Sequence, residues 1–192
     1  VRLGFINRWT AIKGGWYLLQ YGLGISSMEE PIRQAGMLLQ GSKEEDLIQR
    51  TQQFWEEEVI HHIREKSQSV LERHRQAGDE IILLTSSSVY LGNCAARHLN
   101  IPYVLANRFV VQDGVFTGEM VSPLCYGQGK VYYAKQLAAQ LNKNVADGVF
   151  YTDSYSDIEM LLAVDNPVVI HPDKRLERVA RKKGWPIEKW SL

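Results

Sequence analysis

Apolar residues follow two different rhythms along the chain. Up to about Lys66 they recur at helical spacing, and Phe54, Val59, Ile60 and Ile63 form one stripe. Gly22, Gly24 and Gly41 break this part into separate helices. Ser26-Ser27-Met28-Glu29 and Ser42-Lys43-Glu44-Glu45 read as helix starts, a hydroxyl cap followed by acid in the first turn. From Ser67 onward, short unbroken apolar runs alternate with helical patterns. A helix through Val70, Leu71 and Ala77 stops at Gly78. Residues 80–85 (EIILLT) form a strand of the kind buried on both faces of a parallel sheet. The same reading places helices over 91–99, 130–141, 158–164 and 173–183, and strands over 103–106, 149–152 and 167–170. Two apolar runs joined by Asp113-Gly114 predict a hairpin over 109–118.

This alternation predicts an α/β fold, a doubly wound, Rossmann-like parallel sheet preceded by helices. The 192 residues suffice for one domain or a domain with a small lid. Lys plus Arg equals Asp plus Glu, at 22 each. A neutral balance gives no pull toward nucleic acid or an anionic membrane, so neither is expected as a partner, although a local basic pocket stays compatible with it. Cys94 and Cys125 form neither a C-x-x-C pair nor a metal spacing and read as reduced thiols. The early apolar stretch 16–25 is short and broken by Gln20, Gly22 and Gly24, and no signal peptide is read ahead of it. The expected location is cytoplasmic.

In a doubly wound sheet, ligands bind beyond the carboxyl ends of the strands. Thr85, Ser86, Ser87 and Ser88 follow the first strand, and Asp153, Ser154, Ser156 and Asp157 follow the one ending at Thr152. Lys130 begins a helix after Gly127-Gln128-Gly129. Hydroxyls and helix-start amides bind phosphate oxygens, a lysine neutralises them, and carboxylates hold a divalent cation that keeps most of its waters. The inventory predicts a site for a phosphate beside a metal.

Three stretches carry a resemblance to a known family. Leu83-Leu84-Thr85-Ser86-Ser87 resembles motif II of the haloacid dehalogenase superfamily. Gly127-Gln128-Gly129-Lys130-Val131 resembles motif III of its phosphoserine-phosphatase-like branch, subfamily IB, and 151–161 (YTDSYSDIEML) is similar to motif IV, G-D-S-x-x-D. Asp113-Gly114 with Thr117-Gly118, and the tail from Pro172-Asp173 to Gly184-Trp185-Pro186, look like the same branch. The resemblance implies a partial helical cap over 1–66 and an α/β core over 67–192. It also implies Mg²⁺-dependent hydrolysis of a small phosphorylated metabolite. Thr85 would hydrogen-bond the phosphoryl group, with amide or hydroxyl contacts from Ser86 and Ser87. Lys130 would hold phosphate, Asp153 would ligate Mg²⁺, and Asp157 would orient the lysine or serve the metal.

The family's nucleophile, an aspartate in a D-x-D motif on its first core strand, is not in this sequence: no D-x-D occurs in it. That strand lies between those bearing motifs II and IV, and leaving it out would set its neighbours roughly 10 Å apart. The expectation is therefore a chain that lacks the motif I strand through truncation and is inactive. A pseudoenzyme that binds phosphate or a partner, with 2–6 (RLGFI) as a substitute strand, is the alternative. Thr152 stands where the motif usually has Gly and is expected to add bulk near the phosphate; His171 stands where Asn is common. His61, His62, His74 and Arg75 read as surface residues, and Trp9, Trp16, Tyr17 and Tyr21 as cap core or contact with the missing segment, with a substrate-lining role as the alternative.

Overall fold

The computed structural model describes residues 28–190. Helix α1 (Glu29–Leu38) and helix α2 (Glu44–Phe54) open this part and α3 (Glu65–Gln76) follows. Strand β1 (Ile82–Ser88) leads into α4 (Val89–Leu99) and β2 (Tyr103–Asn107). The hairpin β3 (Phe109–Gln112) and β4 (Val115–Met120) comes next, then α5 (Gln128–Gln140). The chain closes with β5 (Val149–Thr152), α6 (Ile158–Leu161), β6 (Asn166–Ile170), α7 (Lys174–Lys183) and the short β7 (Ile187–Glu188), which the sequence pattern had not shown.

The α/β alternation expected after Ser67 is what the structure contains. Strand β1 pairs parallel with β2, and β5, β6 and β7 pair parallel in that order. Among the described strands, none joins β1 to β5. These two blocks meet through side chains instead: Leu84 of β1 packs with Phe150 of β5 against Val131, Met160 and Val164. Phe150 also touches the second cluster, Leu161, Val169, Leu176 and Ala180, each at most 1% exposed. Helix α5 therefore supplies, through Val131, part of the apolar mass that holds the blocks together. No helix among the described residues is long and apolar enough to cross a membrane.

Local chemistry fixes most element ends. Ser88 caps α4 through Leu91 N–H, and Asn100 ends it at φ 52°. Both oxygens of Asp173 accept backbone N–H groups: one from Arg175 and Leu176 at the start of α7, the other from Tyr155. The hairpin turns on Asp113 and Gly114 at φ 52° and 75°, the left-handed pair that a tight two-residue turn requires.

Three expectations change in the helical part. The cap expected at Ser26-Ser27 lies outside the described residues, as do Trp9, Trp16, Tyr17, Tyr21 and residues 2–6. Ser42 does not cap α2; Lys43 holds that position without a side-chain bond, while the Ser42 carbonyl accepts from Phe116 N at 3.0 Å. The stripe read through Phe54 is displaced. A π turn over Trp55–Val59 and a 3-10 turn over Ile60–His62 replace regular helix, and Trp55 is buried at its start while Phe54 is 45% exposed. An extra residue in a turn rotates every later side chain about the axis, which a fixed 3.6 period cannot register. His61 and His62 are exposed, as expected. The helical segment packs on its successor. Gly36 lies against Met120, Tyr90 donates to Glu44 at 2.7 Å, and Gln52 accepts from Arg97 at 2.8 Å.

His74 is not the surface residue expected. Its ring bonds Asp79 at 2.7 Å and the Tyr151 hydroxyl at 2.9 Å, and so ties α3 to β5. The tail reinforces that contact. Arg64 donates to the Trp190 carbonyl at 2.8 Å, and Glu188 accepts from the Trp190 indole at 2.7 Å and pairs with Lys66 at 3.2 Å. The indole bond, then Lys66, holds the Glu188 carboxyl below its ordinary value of 4.5. A depressed folded value means that the contribution is complete above the ordinary carboxyl range and is lost as pH falls through the folded value. Acid titration followed by tryptophan fluorescence is expected to show a local step below about pH 4.5 that precedes global unfolding. Glu188→Gln should remove the step; an unchanged step would show that the tail contact does not depend on this carboxylate.

Candidate active site

Strand β1 does not end at Thr85 as expected but runs to Ser88, and the reason is a bulge. Leu84 stands opposite Leu105 and Ser88 opposite Asn107, so three residues of β1 face one of β2. Bulges bend a strand and re-aim its side chains. This one lifts Thr85, Ser86 and Ser87 out of the ladder at its carboxyl end. Asn107 fixes it from β2. Its amide nitrogen donates to the Ser86 carbonyl at 2.7 Å, and its amide oxygen accepts from Cys125 N at 2.8 Å. Asn107 is 3% exposed, so both ends of a buried amide are satisfied. Within the bulge, the Thr85 hydroxyl oxygen accepts from Ser87 N at 3.1 Å, which leaves its O–H as a donor. The Ser87 amide is thereby spent, and its hydroxyl is what it can still offer a ligand.

Gly127-Gln128-Gly129 delivers Lys130 from the other side. Gly127 sits at φ 50°, ψ −123°, a conformation closed to other residues, and Gly129 passes so near Leu124 that a Cβ would meet its carbonyl oxygen. Lys130 is buried, and its Nζ lies 2.6 Å from Asp157 Oδ1, with side chains 6% and 7% exposed. The other oxygen, Asp157 Oδ2, accepts from the Thr152 hydroxyl at 2.7 Å. Thr152 in turn accepts from Ser154 N at 3.2 Å. The bulk expected of Thr152 is thus a hydrogen bond as well.

Cys125 marks where these groups meet. It is fully buried, takes a backbone hydrogen bond from Thr85, and feels the charges of both Lys130 and Asp157. Burial pushes its thiol up to about 11, with Asp157 adding to that and Lys130 and the Thr85 bond opposing it. At neutral pH it is a thiol and not a nucleophilic thiolate. The Thr85 backbone and the Lys130–Asp157 pair therefore share one neighbour. Asp153 is exposed, and its backbone carbonyl accepts from Asp173 N at 3.0 Å. Its carboxylate has no described hydrogen-bond or ion-pair partner; in sequence it lies between Thr152 and Ser154, both members of the Asp157 bond system.

The chemistry of the donors suits a small hard cation only in part. Each Asp157 oxygen already accepts one hydrogen bond, from Lys130 Nζ and from the Thr152 hydroxyl, whereas the exposed Asp153 carboxylate has no described hydrogen-bond partner. Among the described residues no three His, Cys, Asp or Glu side chains gather into a cage. Mg²⁺ tolerates this, since it keeps several waters and takes one or two carboxylates plus phosphate oxygens; structural zinc does not. Sequence reasoning missed Asn107 and the bonding role of Thr152. Asn107 had a signal, since it ends β2 at the same edge of the sheet as the serines end β1.

A family model for haloacid dehalogenase-like hydrolases matches residues 1–162. The chain belongs to this family. It is 29% identical over 160 residues to a phosphoserine phosphatase of Mycobacterium tuberculosis, covering 83% of this chain and 52% of that protein. It is also 29% identical over 147 residues to a histidinol-phosphatase of Neisseria meningitidis, covering 74% of this chain and 66% of that one. The chain thus spans about half the length of its mycobacterial relative. A crystal structure of a Bordetella pertussis protein of unknown function superposes with a TM-score of 0.82 at 23% identity, over 93% of this chain and 81% of that one. That agreement shows a shared α/β fold.

Proposed function

We propose that this haloacid dehalogenase-like chain carries the phosphate-holding side of a Mg²⁺-dependent phosphomonoester hydrolase. Its substrate would be a small phosphorylated metabolite in the cytoplasm, with neither nucleic acid nor membrane as a partner. The observation that carries this reading is the buried Lys130–Asp157 pair at 2.6 Å. Burying an ion pair returns little stability for its desolvation, so such a pair at the ligand-binding edge of a sheet is better explained by a ligand than by folding. The family match supports a hydrolase, and relatives named as phosphatases favour a phosphate ester.

In this reading Asp157 fixes the lysine, and Lys130 presents a desolvated positive charge to the phosphoryl oxygens. The Thr85 O–H donates to the same group. A fixed donor in a dry site needs no reorganisation when charge develops on the phosphate. Asp153 would hold the magnesium, which when bound supplies positive charge to the phosphoryl oxygens. The covalent step needs an aspartate carboxylate to attack phosphorus as the ester P–O bond breaks and the leaving alkoxide takes a proton from a neighbouring acid; water then cleaves the aspartyl phosphate. The sequence holds no D-x-D to do this. The 192 residues are therefore assigned binding without turnover, and hydrolysis is assigned to a form that also contains the motif. The same absence is compatible with the alternative reading, a protein that binds phosphate or a partner with no turnover in any form.

Hydrolysis of p-nitrophenyl phosphate separates them. The 192-residue chain should release no nitrophenol. A form extended upstream by a strand carrying D-x-D-G-T should release it only with Mg²⁺, and Asp153→Asn in that form should abolish the release. An inert extended form favours the binding reading, and turnover by the 192 residues alone would overturn the assignment.

A further inference from the structure

We infer that Thr152 is a positioning residue for the proposed phosphate site: its hydroxyl fixes the Asp157 carboxylate and so sets where Lys130 presents its charge. This rests on the phosphate-binding reading above. The related motif carries glycine here, so no role passes to Thr152 by resemblance, and the geometry alone assigns one.

The bonds converge on the Asp157 carboxylate from two sides. Ser154 N–H donates to Thr152 Oγ1 at 3.2 Å, and the Thr152 O–H donates to Asp157 Oδ2 at 2.7 Å. Lys130 Nζ donates to Asp157 Oδ1 at 2.6 Å. A hydroxyl that already accepts an amide hydrogen has its own hydrogen aimed by that bond. The Ser154 amide thus orients the threonine, the threonine the carboxylate, and the carboxylate the ammonium. Thr152, Lys130 and Asp157 are 9%, 5% and 5% exposed, so bulk water is poorly placed to replace a missing member. The chain of bonds also couples two segments: Ser154 and Asp157 lie in the loop that bears Asp153, and Lys130 lies on α5.

The hydroxyl has an electrostatic consequence as well. A carboxylate with a second donor spends part of its negative charge on that donor. The ammonium opposite it is then less neutralised and keeps more of its field for a phosphate. Without the hydroxyl, Asp157 is free to rotate about its last bond and draws more heavily on Lys130. Phosphate should then bind less tightly, although no atom that touches it has changed.

The test uses the 192-residue chain with inorganic phosphate as the probe. Calorimetry on wild type, Thr152→Ser and Thr152→Val gives the affinity. NMR of the Lys130 ammonium protons, slow to exchange only while held, reports the positioning without any ligand. Thr152→Ser should match wild type in both. Thr152→Val should bind phosphate about tenfold less tightly, the scale of a lost hydrogen bond to a charged group, and should lose the Lys130 ammonium signal to exchange. If Thr152→Val does not fold, Thr152→Ala is read the same way. A variant that melts earlier yet keeps both the affinity and the signal would overturn the inference, because a merely structural threonine behaves so. Wild type that binds no phosphate and matches Lys130→Met would sink the phosphate reading, and the ammonium signal of Thr152→Val would still decide whether the threonine positions the lysine.

Discussion

Replacing Lys130 by Met is expected to abolish phosphate binding and to lower stability by about 3–5 kcal/mol, the range for removing one partner of a buried ion pair. The lost attraction is the smaller part of that figure. Asp157 is 5% exposed, and without Lys130 it keeps a single described neutral donor, the Thr152 hydroxyl. A lone carboxylate in such surroundings has no compensation for the water it gave up. Asp157→Asn leaves the mirror-image problem, an ammonium whose only described partner is gone. Removing both charges at once should cost less than the sum of the two single changes, because neither charge is then stranded. A double-mutant cycle by urea denaturation measures this directly, with a coupling of about 1–3 kcal/mol expected. Single variants that cost under about 0.5 kcal/mol would mean that water reaches the pair, and would remove the desolvated ammonium on which the phosphate reading rests.

Much of the fold was legible because it is written locally. The apolar run Ile82-Leu83-Leu84, the Asp113-Gly114 turn and the Gly184 stop each depend on neighbours within a few residues, and each lies within or at the end of the element the pattern predicts. What failed to show depends on partners far along the chain. Asp173 was read as the start of a helix, yet one of its oxygens also binds Tyr155 in the loop after β5. His74 looked solvated because α3 carries Arg73, Arg75 and Glu72 around it, and only the fold brings Tyr151 within 2.9 Å. The bulge at Thr85 is of the same kind. A strand read alone ends where its apolar run ends, and the extra residues become visible only against the register of β2. In the candidate site, Thr85, Lys130 and Asp157 were singled out by residue type and by their place at element ends, but their bonds were not legible. Sequence could offer Asp157 to a metal as readily as to lysine; the structure adds that its two oxygens accept from Lys130 and from Thr152.

Adding one methyl group at Gly129 should be as damaging as removing the lysine beside it. An ideal Cβ there would fall 1.7 Å from the Leu124 carbonyl oxygen and 2.9 Å from its carbon, both backbone atoms. A flexible side chain can swing aside from such a contact, whereas a backbone carbonyl moves only with its peptide. This peptide is held on several sides. Tyr126 N–H donates to the Leu124 carbonyl at 2.8 Å, Gly129 N–H donates to Tyr126 O at 2.9 Å, and Cys125 N–H is fixed by Asn107. To admit the methyl, α5 must retreat at its first turn or the 124–127 turn must open. Either motion carries Lys130 away from Asp157 and uncovers Cys125. Gly129→Ala is therefore expected to cost at least about 3 kcal/mol, in the range of the severe steric substitutions. It should also expose the Cys125 thiol to Ellman's reagent at neutral pH, where the native protein leaves it unmodified. Gly78→Ala is the control, since that glycine has a positive φ of 76° but nothing within 4 Å of a Cβ. Its cost should be confined to backbone strain of about 1–2 kcal/mol, with the thiol still protected. Equal costs at the two positions would mean that the loop before Lys130 yields easily, and a loop that yields cannot hold an ammonium in place for a phosphate.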